Sequence, residues 1–112
     1  MIELDVPVPA GTDPAHTERI VETTCAGADL RRTLKSTLAS YPGSVHWHYA
    51  HGRERGTLEI TWWPARERLW FKVSAGRTAL WIKALLPALQ QQLSVALATG
   101  APAPTRPEPA AH

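Results

Sequence analysis

The stretch SVHWHYAHGRERGTLEITWWPARERLWFKVS, Ser44 to Ser74, decides the fold of this chain. It holds three runs, 44–50, 57–63 and 68–74, in which apolar and polar residues alternate with the period of a β-strand. Two short charged segments separate them, with turn centres expected at Arg53-Glu54 and Arg66-Glu67. In that register Val45, Trp47 and Tyr49 share a face with Leu58, Ile60 and Trp62, and with Leu69, Phe71 and Val73. Trp47 opposes Ile60, which opposes Val73. A slip of one residue would turn a whole strand inside out, so the agreement of parity across both hairpins specifies a three-strand antiparallel meander with one core-facing side.

Working outward, Ile2 to Val8 also alternates, and Pro7 cannot donate to a ladder, so this strand should lie at an edge or end near Val6. Thr17–Cys25 carries the β-branched cluster Ile20, Val21, Thr23 and Thr24 and is read as a strand, although Asp13-Pro14 is a good helix start. Asp29 then serves as the N-cap of a helix over 29–40, with Leu30, Leu34 and Leu38 at four-residue spacing. A second helix over 78–98 presents Ile82, Leu85, Leu86, Leu89, Leu93 and Leu97 on one stripe, with Pro87 expected to kink or divide it. The expected architecture is α+β, a two-layer sandwich in which helices cover one face of an antiparallel sheet. Residues 1–98 make one domain, and 99–112, ending in APAPTRPEPAAH, read as a solvated Pro/Ala-rich tail.

The same alternation defines the opposite face: His46, His48, Glu59, Thr61, Trp63, Trp70 and Lys72. His48 lies opposite Glu59 and Trp63 opposite Trp70, with His46 between Thr61 and Lys72. No remaining long helix is left to cover these aromatic and titratable groups, and an exposed aromatic patch marks an interaction surface. Three readings follow. The first is a non-enzymatic domain that associates with a protein, foremost a second copy of itself, through Trp63 and Trp70. The second is nucleic-acid binding, with those tryptophans as a stacking platform and Lys72, Arg53, Arg55, Arg66 and Arg68 meeting phosphates. The third is a metal site at His46, His48 and Glu59, because His-x-His on a strand brings two imidazoles to one side and a third ligand leaves room for water on zinc.

Composition narrows the classes. The single cysteine, Cys25, allows no intramolecular disulfide and is expected to be a small buried hydrophobe. Ser44 and Ser74 lack a base and an orienting acid, so nucleophilic catalysis has no support, and the glycines fall at turns without forming a phosphate loop. No cofactor is called for. The first ten residues do not resemble a secretory signal and no apolar run is long enough to span a bilayer, which points to the cytoplasm and away from membranes. Residues 1–30 hold six carboxylates against Arg19, whereas 31–83 hold ten Lys or Arg against Glu54, Glu59 and Glu67. Either the basic part meets nucleic acid or the acidic part folds against it.

Overall fold

A computed structural model describes residues 1–99 of the chain. The sheet has five strands: β1 (Ile2–Val6), β2 (Arg31–Ser36), β3 (Val45–Ala50), β4 (Leu58–Trp63) and β5 (Arg68–Val73). Two helices complete the fold, α1 (Pro14–Gly27) between β1 and β2, and α2 (Leu80–Thr99) after β5. The strand order is β1-β5-β4-β3-β2, and every pairing is antiparallel. The expected α+β architecture is therefore present, with the meander at its centre and the N-terminal strand on one edge. The expected tail falls outside the described residues, except for Thr99, which closes α2.

The core sits where the alternation put it. Trp47, Tyr49, Leu58, Ile60, Trp62, Leu69, Phe71 and Val73 are all buried on one side of the sheet, and Val45 packs against them half-buried. Ile20, Val21 and Cys25 of α1, and Ile82, Leu86, Leu89, Leu93, Ala96 and Leu97 of α2, join the same cluster. The two large indoles of this face are also tied to α1 by their polar edges. Trp47 Nε1 donates to Glu22 Oε2 at 3.0 Å, and Trp62 Nε1 donates to the Pro14 carbonyl at 3.2 Å. Burial without those partners would forfeit the N–H bonds that both rings make in water. The thiol of Cys25 is fully inside; burial pushes its pKa up to about 12, so it is an inert core group.

Three local expectations are corrected. Residues 17–25 are helical rather than extended. Thr17, Ile20, Val21, Thr24 and Cys25 are the buried residues of α1 and recur at helical spacing, so a face that packs on the sheet outweighs weak β-propensity. Pro14 occupies the first turn, where a missing N–H costs nothing. Conversely, the segment expected as a helix over 29–40 contains strand β2. Asp29 has φ +61° and ends α1 instead of starting a new helix: Leu30 N–H returns to the Cys25 carbonyl at 3.0 Å, closing the last turn of α1. The chain then pairs along the free edge of β3, which supplies backbone partners that a helix would leave unmade. An irregularity between Arg32 and Leu34 puts Leu34 on the outer face beside His48, and Thr33 Oγ1 donates to the His48 carbonyl there.

The third correction concerns register. Trp47 does pair with Ile60, but Ile60 pairs with Phe71, two residues from the expected Val73. The chain turns through Pro64–Arg66 as a single 3-10 turn, and Glu67 takes φ +48°, so the loop closes on the pair Trp63–Arg68. A shift of two keeps every side chain on its face but changes its neighbours. Trp70 thus opposes Thr61, not Trp63, and Lys72 opposes Glu59. In α2 the helix continues through the exposed Pro87 and is not divided there.

Candidate metal centre

The outer face of the sheet is organised in cross-strand rows. One row runs Leu34, His48, Glu59, Lys72, Glu3 across all five strands; the next runs Ser36, His46, Thr61, Trp70, Asp5. Directly opposed residues on one face have Cβ atoms about 4.5–5.5 Å apart, so each row is a line of touching side chains. His46 and His48 stand two apart on β3, and Glu59 reaches both from β4. His46 Nε2 and His48 Nε2 are 3.0 Å apart, and Glu59 Oε1 is 3.5 Å from the first and 3.9 Å from the second. The three donor atoms form a compact triangle, and this is a potential cation-binding cluster among the described residues.

Two of the three side chains are also held from behind. Nδ1 of His46 is hydrogen-bonded to Thr61 Oγ1 at 2.8 Å, which fixes the ring and directs Nε2 toward the triangle. Ser74 Oγ donates to Glu59 Oε2 at 2.9 Å, leaving Oε1 to face the imidazoles. The two rings meet edge to face, with centroids 5.0 Å apart. His46 and Glu59 are buried, whereas His48 is half-buried, so the cluster opens to solvent on the His48 side. Burial lowers the pKa of His46, the charges of His48 and Lys72 lower it further, and Glu59 opposes them. The net result favours a neutral ring, the form whose nitrogen lone pair can bind a metal.

The tryptophans of this face are placed differently from the expectation of an exposed pair. Trp70 is only 3% exposed. The Arg68 guanidinium lies over its ring at 4.1 Å and is itself bound by Asp5 at 3.0 Å and Glu3 at 3.4 Å. Tyr41, from the loop between β2 and β3, packs against Trp70 edge-on at 5.2 Å and against Trp63 at 4.9 Å. Trp63 Nε1 donates to the Pro42 carbonyl, and Arg66 sits 5.8 Å from its ring. Both indoles therefore have faces occupied by their own chain, with no helix of the described residues above them.

The basic residues are dispersed. Arg53 and Arg55 are exposed in the β3–β4 connection, at one end of the sheet, whereas Arg66 lies in the β4–β5 connection and Arg68 opens β5 at the other. Much of the charge segregation is resolved within the fold: Lys35 meets Glu18 and Glu22 at 2.6 and 2.7 Å, and Arg32 meets Glu22 at 3.2 Å.

Of the residues singled out by sequence, His46, His48 and Glu59 come together, Lys72 borders them, and the tryptophans and arginines do not join them. Thr61 was legible as a member of the same face, in the β3–β4 register that the structure keeps; Ser74 was read only as flanking the sheet, and its reach to Glu59 goes with the two-residue shift of β5. Tyr41 carried no signal, because a loop residue has no periodicity to place it. No helix among the described residues is long and apolar enough to cross a membrane. Compared with models of protein families, with curated proteins and with solved structures, the chain matches none of them.

Proposed function

We propose that the chain is a metal-binding domain for a divalent ion of the zinc class, held by His46 Nε2, His48 Nε2 and Glu59 Oε1. The carrying observation is the triangle of donors at 3.0, 3.5 and 3.9 Å. Metal–ligand bonds of about 2.0–2.2 Å in tetrahedral geometry separate donors by roughly 3.3–3.6 Å. Small side-chain adjustments therefore accommodate an ion at the centre. Two imidazoles and one carboxylate are the donor set of borderline metals, as opposed to calcium or magnesium, which take oxygen. Three protein ligands leave one position open, the arrangement of centres that bind an exogenous ligand or activate water.

Isothermal titration calorimetry of chelator-treated protein with Zn(II) tests this directly. The expected result is one ion per chain, with His46→Ala and His48→Ala each weakening binding by at least about a hundredfold, since one of three ligands is lost. Saturable binding that survives in the His46→Ala/His48→Ala double variant would assign the metal to other histidines and overturn the reading. Circular dichroism of each variant checks that the sheet is retained.

Self-association through the same face is a second reading. Leu34 is 40% exposed beside His48 on an edge strand whose six residues are all exposed, and no helix of the described residues lies over that side. Sedimentation equilibrium with and without Zn(II) distinguishes them: a dimer that forms in chelator and dissociates on Leu34→Glu supports association independent of metal.

A further inference from the structure

Lys72 is an unusual neighbour for a cation site. It stands on the outer face, directly across the ladder from Glu59 and, on its other side, from Glu3. Neither carboxylate pairs with it. Glu59 directs Oε1 toward the imidazoles and receives Ser74 Oγ on Oε2, and Glu3 is engaged by Arg68 at 3.4 Å. Among the described residues Lys72 has no ion pair within 4.0 Å, yet its charge is felt at His46. A lysine so placed repels a bound metal ion and costs affinity. It is left half-buried on the row that carries His48 and Glu59, flanking the Glu59 carboxylate on the side away from His48.

Charge supplies a role for it. A divalent ion with two neutral imidazoles and one carboxylate carries a net positive charge, and the ammonium adds to it. We infer that the open position takes an oxyanion, of the carboxylate or phosphate class, bound through one oxygen to the metal and through a second to the Lys72 ammonium. This rests on the metal-centre reading and identifies the ligand of that same site. A neutral ligand could accept a hydrogen bond from the lysine but would neutralise none of this charge. An anion bridging metal and ammonium gains a charge-assisted hydrogen bond in a partly desolvated setting.

Co(II)-substituted protein gives the test, because its visible spectrum reports changes in coordination. Inorganic phosphate and, separately, acetate are titrated into the Co(II) forms of the parent chain, Lys72→Met and Lys72→Arg, with Co(II) affinity measured in parallel. The parent spectrum is expected to change saturably with at least one of the two anions. Lys72→Met should weaken that anion about tenfold, the order expected for one lost charge-assisted hydrogen bond, and Lys72→Arg should recover most of it. Co(II) itself should bind Lys72→Met at least as tightly as the parent, since a repelling charge has gone. These opposite signs are diagnostic, because general damage to the site would weaken both. A Co(II) spectrum that forms but ignores both anions, or responds equally in Lys72→Met, overturns the inference and leaves the metal centre standing. Failure of Co(II) to bind the parent chain overturns the metal-centre reading and this inference together.

Discussion

At the scale of single residues, the proposed metal centre depends as much on its supports as on its ligands. Thr61 and Ser74 make no bond to an ion, but they hold one atom each of His46 and Glu59 out of the triangle and so aim the other atom into it. Removing such partners typically costs about 10–100-fold in metal affinity. Thr61→Val and Ser74→Ala should therefore each weaken Zn(II) binding within that range while keeping one ion per chain, as calorimetry would show. Unchanged affinity in both would mean that the ligands orient themselves. Residue identity alone nominated His46, His48 and Glu59, because a strand's alternation places side chains on faces before any pairing is known. It could not rank the face's other members. Trp63 and Trp70 look like an exposed platform in the sequence, and only Tyr41 and Arg68, folded over them, make them part of the protein's own packing.

At the scale of elements, two positions carry opposite expectations for stability. Gly56 leads into β4 with φ +103°, and a Cβ there would stand 2.8 Å from Ala79 Cβ and 3.0 Å from the Arg77 carbonyl. Both the conformation and the close approach exclude a side chain, so Gly56→Ala should lower stability by about 1–3 kcal/mol in urea denaturation. Pro87 lies inside α2, where it forgoes a backbone hydrogen bond and crowds the preceding turn. It is exposed and makes no essential contact in the core cluster. Pro87→Ala should raise stability by about 1–3 kcal/mol, and a lower denaturation midpoint would show that a bend at Pro87 is needed to fit α2 to the sheet. The elements misread from sequence, 17–25 and 29–40, are those whose local preferences conflict with their partners. β-branched residues entered a helix because their spacing suited a packed face, and Leu34, spaced for a helix with Leu30 and Leu38, entered a strand because β3 had an open edge.

For the molecule as a whole, the acidic beginning and the basic middle of the chain neutralise each other across layers and strands. Glu22 is the hub, accepting from Trp47 and pairing with Lys35 and Arg32. Burial raises its pKa, but the hydrogen bonds from Lys35 and Trp47 and the nearby positive charges together outweigh that, and the folded value lies below the ordinary 4.5. A carboxylate lowered on folding contributes stability that is present above its unfolded pKa and is lost as pH falls through the folded one. The parent chain should therefore melt above Glu22→Gln at pH 7, and the gap should close as pH falls below about 4.5, the unfolded reference. A gap that stays constant down to pH 3 would assign the effect to the Trp47 hydrogen bond and not to charge. Lys35, whose pKa is raised by hydrogen bonds to Glu18 and Glu22, is the complementary probe.

The sequence by itself determined the α+β class, the meander, its core-facing residues and the parity that puts two histidines and a glutamate on the other side. Those features are local, since a period of two is written into the chain and survives any even shift of register. The tertiary structure decided what periodicity is blind to. A 3-10 turn at Pro64–Arg66 moved β5 by two residues and brought Lys72 opposite Glu59. A free edge on β3 claimed residues 31–36. Tyr41 closed over Trp63 and Trp70, leaving the His46–His48–Glu59 triangle as the part of that face whose polar atoms converge on one point. Convergence is a property of three-dimensional distance, and no spacing along a chain encodes it.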